Sequence, residues 1–342
     1  MVREDDPGTS TANGDPGGRG GLPVRAVREP TPDDVTAARA VVTAHLRPTP
    51  VVPVRLPGVE GEVLLKLESL QPTGSFKVRG ALAAVAAYAA SAGRVVTPSA
   101  GNAALGVAFA AARLGVPATL VVPETASAAK VAALRELGAD LVLHGADYEE
   151  AERHALALAA EGAALVSPYN DPHVIAGQST VGDEVGDQVG DDVTLLVPVG
   201  GGGLVAGCAL WAAERPGVHL VGVESAASPA VSSAVRAGRI VTVEVGPTIA
   251  DGLGGNIEPG SVTPAVAGRR VDTWVQVPED LLRTAVRLLA TRCGLVVEGA
   301  GAVGVAALLG GLVEPAPGTA PVVLVTGRNI APALLAELLT TG

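Results

Sequence analysis

Aromatic side chains are scarce in this sequence: two Trp, three Tyr and two Phe make up 2% of its 342 residues. That removes the stacking platforms on which single-stranded nucleic acids are held. The net charge of −11 opposes a phosphate backbone or an anionic membrane surface as partner. Cysteine is nearly absent too. Cys208 and Cys293 lie far apart with no CxxC pair, which points to a reducing compartment, the cytoplasm. The histidines His45, His144, His154, His173 and His219 are scattered without metal-ligand spacing, so no metal is expected. No apolar run reaches the roughly 18 residues of a membrane span, and the opening MVREDD has no apolar core of a signal peptide. Residues 1–22, rich in Gly, Pro, Asp and Thr, read as a disordered tail without a catalytic part.

What the chain does have is apolar content, 48% of residues against 17% charged, carried by Ala, Val, Leu and Gly. A sizeable core follows, and the length allows two compact units. From about Pro30, short Val- and Leu-rich runs alternate with Ala-rich stretches of helical length. Strands are expected at 63–68, 94–97, 118–123, 140–144, 194–199, 219–224 and 321–327. Helices are expected at 81–91, 101–114, 127–137, 147–160, 203–214, 279–292 and 331–340. In AARLGVPATLVV and LRELGADLVLH, Gly115 and Gly138 read as helix C-terminal caps. Alternation of this kind is the pattern of an α/β protein with mostly parallel sheets flanked by helices.

Three segments carry chemistry. In PTGSFKVRG, residues 72–80, Lys77 follows Gly74, Ser75 and Phe76 and precedes Arg79-Gly80 and an Ala-rich helix. A lysine held out of water there has a lowered pKa, and its neutral amine can condense with an aldehyde; the same local sequence also fits a surface lysine at a helix start. In TPSAGNAALG, residues 97–106, Ser99, Gly101 and Asn102 stand between a strand and a helix. The free N–H groups of that helix start suit a carboxylate, and a helix N-cap without ligand fits as well. In PVGGGGLVAG, residues 198–207, Gly200 to Gly203 leave backbone N–H groups bare between a strand and a helix, the arrangement that cradles phosphate. Gly201-x-Gly203-x-x-Ala206 also satisfies a dinucleotide fingerprint, with Glu224 about 20 residues on as the ribose-binding acid. An NAD-dependent dehydrogenase is therefore a competing reading, though one with no use for Lys77.

Taken in order, the segments ESLQPTGSFKVRGA, SAGNAALGVA, SPYNDPHVIAGQST, PVGGGGL, GVE, IADGL, VVEGAGA and VTGRN resemble the fold-type II pyridoxal-phosphate enzymes of the threonine/serine dehydratase and serine racemase branch. The likeness is collinear from about Val51 to the C-terminus. It implies pyridoxal 5'-phosphate as cofactor, with Lys77 carrying it as an imine and acting as general base toward the substrate's α-proton. It further implies that Phe76 lies against the cofactor ring, and that Gly200, Gly201, Gly202, Gly203 and Leu204 hold the phosphate. Asn102 would bond the phenolic oxygen, and Thr326 the pyridine nitrogen. Ser99, Ala100, Gly101 and Asn102 would grip the substrate. A hydroxyl at Thr326 leaves the pyridine nitrogen unprotonated, which favours β-elimination over aminotransfer. Asp251 and Glu298 match family positions that shape the pocket.

The departures from that pattern are informative. Ala100 occupies the position where racemase members carry a serine, and alanine moves no proton. Ala103 stands where the family has His. Ala230 stands where metal-binding members have an aspartate to partner an acid such as Glu224. Ser179 replaces a usual glycine, and Gly299 a usual proline. The resemblance implies an ammonia-lyase on a β-hydroxy amino acid such as L-threonine or L-serine, with a racemase or β-replacement enzyme as alternative. It also implies a homodimer. Ending soon after TGRN, the chain is expected to lack a regulatory domain and feedback inhibition by branched-chain amino acids. The expected organisation is a large cofactor-binding domain, 23–91 with 168–342, and a small substrate-carboxylate domain, 92–167, inserted into it.

Overall fold

Alternating apolar strands and Ala-rich helices build two sheets in the computed structural model, which describes residues 24–126 and 128–340. The tail expected over residues 1–22 lies outside the described residues. The strands are β1 Val51–Val54, β2 Val63–Lys66, β3 Val95–Pro98, β4 Ala118–Val122, β5 Asp140–Leu143, β6 Ala164–Leu165, β7 Val193–Pro198, β8 His219–Ser225, β9 Thr273–Val277 and β10 Ala320–Leu324. The first six helices are α1 Pro32–His45, α2 Lys77–Tyr88, α3 Asn102–Leu114, α4 Ala128–Glu136, α5 Tyr148–Ala160 and α6 Pro172–Val189. The rest are α7 Gly203–Ala212, α8 Ala230–Ala237, α9 Thr263–Gly268, α10 Glu279–Arg292, α11 Gly299–Leu309 and α12 Pro332–Thr340. Among the described residues no helix is long and apolar enough to cross a membrane.

The six-stranded sheet runs β1-β2-β10-β7-β8-β9 and the four-stranded sheet β5-β4-β3-β6. Every pairing is parallel except β1 against β2, where Val51 faces Lys66 and Val54 faces Val63. Parallel strands must be covered on both faces, so the central ones read as continuous apolar runs. All six residues of β7 are buried, as are all five of β4. The larger sheet packs β2, β10 and β8 against α10 and α11 on one face and against α7 and α8 on the other. The smaller sheet shares its core with α2, α3 and part of α1, through Val42, Leu46, Val78, Leu82, Val107 and Leu120.

Helix α2 starts at Lys77, four residues before the Ala-rich run suggests. Helices α1, α6, α8, α9 and α11 and strands β1, β6 and β9 are additions to the expected set. Gly115 and Gly138 do sit in the left-handed region, at φ 68° and 73°, where they stop α3 and α4 and release the chain into β4 and β5. Strand β3 delivers the chain to the start of α3, β7 to the start of α7, and β10 to Thr326. Those turns lie at the carboxyl ends of parallel strands, the position where open α/β sheets gather ligand-binding groups.

Candidate functional site

The loop before α2 is held by backbone. Gly74 takes φ 77°, Ser75 pairs with Gly327 in an isolated antiparallel bridge, and the Phe76 N–H donates to the Thr326 carbonyl at 3.0 Å. Lys77 therefore enters the first turn of α2 fixed against the segment that follows β10. Its Nζ donates to the Pro168 carbonyl at 2.8 Å and lies 5.2 Å from the centre of the Phe76 ring. The residue as a whole is only partly buried, yet its amine is shut away from bulk water. Loss of water lowers the amine's pKa to about 8, with the Glu298 charge pulling the other way.

Across from this amine lies the glycine run. Gly202 caps α7 at φ 87°, and among the described residues no side chain caps the helix's first N–H groups. A Cβ on any of the four glycines would collide with protein. At Gly200 it would lie 2.8 Å from the Gly252 carbonyl, at Gly202 2.7 Å from Thr263 Oγ1, and at Gly203 2.9 Å from Tyr169 Cα; at Gly201 it would enter the Tyr169 ring. Glycine is thus required by close packing as well as by an open cradle. The Leu204 side chain is buried in the core, so only its backbone belongs to the loop. Tyr169 follows Pro168, the acceptor of Lys77, and this links the lysine to the glycine loop.

The third segment approaches from the smaller sheet. Ser99 Oγ accepts the Gly101 N–H at 3.2 Å, Ala100 packs on the core beneath, and Gly101 leads into α3 with open space where a Cβ would stand. Asn102, first residue of α3, is gripped at both ends. Its Nδ2 donates to Glu298 Oε1 at 2.8 Å, and its Oδ1 accepts from Asn329 Nδ2 at 2.6 Å. Burial pushes the Glu298 carboxyl up to about 7, with Asp251 adding to the effect and Asn102, the Asn329 N–H and Lys77 opposing it. Asn329 lies within the VTGRN motif, but its contact partner is 227 residues away in sequence, and no local signal marks it.

Lys77, Phe76 and Thr326 are thus joined through backbone, the glycine loop through Tyr169, and Asn102 through Glu298 and Asn329. Arg79 is fully buried and ion-paired to Glu68 and Glu184. Glu224, placed by the dinucleotide fingerprint at a ribose, is turned inward: its Oε1 accepts the Val231 and Ser232 N–H groups at the start of α8.

These groups fit an aldehyde-bearing phosphorylated cofactor. A water-deprived amine faces an uncapped helix start whose glycine loop admits no side chain, and the Ser75 hydroxyl nearby is buried with no partner among the described residues. A family model described as pyridoxal-phosphate dependent enzyme matches residues 42–327. The chain belongs to that family. The L-threonine ammonia-lyase of Thermotoga maritima is 40% identical over 286 residues, spanning 82% of this chain and 71% of the relative. The threonine deaminase of T.th. has 38% identity and a TM-score of 0.80, covering 88% of this chain and 99% of that one. Maize serine racemase has 29% identity and a TM-score of 0.82, covering 91% and 97%. As a pyridoxal-phosphate dependent enzyme of fold type II, the chain takes pyridoxal 5'-phosphate as cofactor. The NAD-dependent dehydrogenase reading falls with that assignment and with the inward turn of Glu224.

Proposed function

We propose that this pyridoxal-phosphate enzyme is an ammonia-lyase that converts a β-hydroxy amino acid, L-threonine or L-serine, to its 2-oxo acid and ammonia. The observation that carries the reading is the Lys77 amine, held at the start of α2 with its pKa drawn down to about 8 beside the glycine loop. Relatives named for threonine ammonia-lyase and threonine deaminase activity, at 40% and 38% identity, support the choice of reaction.

When bound, the cofactor supplies an electron-withdrawing ring that acidifies the substrate's α-carbon. Lys77 Nζ would hold the cofactor's aldehyde carbon and would accept the substrate's α-proton. A positioned base contributes about 10²–10⁴-fold. Gly200, Gly201, Gly202, Gly203 and the Leu204 N–H hold the phosphate at the positive end of α7. Phe76 would flank the ring, Thr326 Oγ1 would hold its nitrogen, and Asn102 Nδ2 would hold its phenolic oxygen. Ser99, Ala100 and Gly101 hold the substrate carboxylate with the start of α3. Loss of the α-proton and the β-hydroxyl as water leaves an enamine that hydrolyses to the 2-oxo acid and ammonia.

Racemisation needs a second proton carrier on the opposite face of the substrate, and Ala100 has no proton to give. The unit at about 92–167, with α2 packed on it, is the part assigned here to the substrate carboxylate, and 23–91 with 168–342 the part assigned to the cofactor. The active form is taken as a cytoplasmic homodimer, in keeping with two unpaired cysteines, Cys208 and Cys293.

The test is a panel of L-serine, L-threonine and larger β-hydroxy amino acids, assayed for ammonia and 2-oxo acid, with D-serine formation measured in parallel. Ammonia from at least one, with borohydride fixing a pyridoxyl group on Lys77, is the expected result. D-serine without ammonia, or fixation elsewhere in the chain, overturns the assignment.

A further inference from the structure

Two side chains at the cleft, Glu298 and Asn329, have no part in the roles just assigned, yet both hold Asn102. Glu298 Oε1 accepts from Asn102 Nδ2 at 2.8 Å, and Asn329 Nδ2 donates to Asn102 Oδ1 at 2.6 Å. Asn329 Nδ2 also donates to the Thr73 carbonyl at 2.9 Å, and the Asn329 N–H donates to the Glu298 carboxyl. The four residues therefore form a continuous chain across the cleft, from the Lys77 loop through the segment after β10 to the start of α3 and on to α11.

The direction of that chain is set at one end. A backbone carbonyl only accepts, so the Thr73 oxygen obliges Asn329 to present its Nδ2. Asn329 Nδ2 then obliges Asn102 to present Oδ1, which leaves Asn102 Nδ2 toward Glu298. Reversing the Asn102 carboxamide would set oxygen against the Glu298 carboxyl and nitrogen against nitrogen at Asn329. Glu298 Oε1 meanwhile accepts from Asn102 Nδ2. Two glycines make room for the arrangement. A Cβ on Gly74 would collide with the Asn329 carboxamide, and one on Gly327 with the Glu298 carboxylate.

We infer that Asn329 and Glu298 are positioning residues for Asn102, and that the chain anchored on the Thr73 carbonyl fixes its carboxamide as a hydrogen-bond donor toward the cofactor. Of the two Nδ2 hydrogens one goes to Glu298, and the other is left for the phenolic oxygen. The inference rests on the reading that Asn102 contacts that oxygen. It assigns a task to Glu298, to Asn329 and to the glycines of the PTGSFK and VTGRN segments.

The experiment reconstitutes each apo-protein with pyridoxal 5'-phosphate, and reads the dissociation constant and the absorbance maximum of the bound chromophore. Asn102→Ala serves as reference. Asn329→Ala is expected to weaken cofactor binding about fivefold, the effect of one exposed hydrogen bond, and to move the absorbance maximum in the same direction as Asn102→Ala. Asn102→Ala with Asn329→Ala is expected to be no worse than Asn102→Ala alone, because the second change acts only through the first. Glu298→Gln keeps an acceptor oxygen and is expected within about twofold of wild type, whereas Glu298→Met matches Asn329→Ala. The Glu298 pair carries the test should Asn329→Ala fail to fold by circular dichroism. Effects that add fully to those of Asn102→Ala, or an unaltered spectrum and affinity in both Asn329→Ala and Glu298→Met, overturn the inference while leaving the assigned reaction standing. A wild-type protein that gains no chromophore at all overturns both.

Discussion

Lys77 shows how a single residue type acquires a function from where its backbone ends. Burial lowers its amine to about 8, and Glu298 alone pulls in the opposite direction. Because the folded pKa lies below the unfolded one, the charged amine costs stability at low pH, and that cost is relieved as pH rises from about 8 toward the usual lysine value near 10.4. The neutral amine is also the nucleophile. The apo-protein is therefore expected to take up pyridoxal 5'-phosphate at a rate that climbs about tenfold per pH unit below 8 and levels off above it. Stopped-flow absorbance from pH 6 to 11 measures this, and a rate still rising near pH 10 marks the ordinary amine of an exposed lysine. Lys77 could be singled out from sequence by its place in PTGSFKVRG among the other ordered segments, although the groups that hold it, Pro168 and Thr326, are distant in sequence. Two other residues gain an explanation only from the structure. Gly299 replaces an expected proline because a side chain there would run into the Ile249 carbonyl, so the start of α11 needs the bare backbone. Ser179 is accommodated by turning its hydroxyl back onto the Ala176 carbonyl at 2.7 Å inside α6.

At the scale of elements, what holds the Lys77 helix in register is a set of buried charges. Arg79 Nε and Nη2 each donate to Glu68 at 2.7 Å, and Nη1 lies 2.7 Å from Glu184 Oε1 on α6. Lys66, at the end of β2, donates to the Thr49 carbonyl at 2.7 Å and pairs with the same Glu184. Two cations and two carboxylates thus join β2, the turn at Glu68, α2 and α6. The carboxylates hold Arg79 charged despite its burial, and Glu68 is kept below the usual range by Arg79, against the cost of its own burial. Arg79→Met strands two carboxylates with one cation, and is expected to cost about 3–5 kcal/mol by denaturant unfolding. Glu68→Gln in the same chain should recover part of the loss; a cost below about 1 kcal/mol would mean that water reaches the cluster. Sequence could not join Lys66 to Glu184, which lie 118 positions apart. Helix α11, one of those that sequence reading missed, has a different cause. In GAGAVGVAALL of α11 nearly every residue is apolar and ten are buried, so no polar face exists to reveal a helical period. In α3 and α4 polar residues such as Arg113 and Arg135 break the apolar run and a glycine follows the last turn, and both helices are plain from the sequence.

For the whole molecule the consequence lies in how the two sheets are joined. The six-stranded sheet supplies the glycine loop after β7 and Thr326 after β10, the four-stranded sheet supplies Ser99 to Asn102 after β3, and α2 brings Lys77 between them. Each sheet has its own apolar core, and direct side-chain bonds such as Asn102 to Glu298 cross from one to the other. A cofactor held by both sets of groups acts as a further bridge, so its binding free energy adds to the stability of both. At a concentration one hundred times its dissociation constant the gain is about 2.7 kcal/mol, which for a chain of this size raises the melting temperature by about 4 °C. Hydrogen exchange locates that gain. Pyridoxal 5'-phosphate is expected to slow exchange in the turn at 97–102 as well as in the turn at 200–204, and to do so far less in Lys77→Ala, where the covalent link is lost. Protection confined to the glycine loop would mean that the cofactor grips the larger sheet alone, and that the smaller one contributes nothing to holding it.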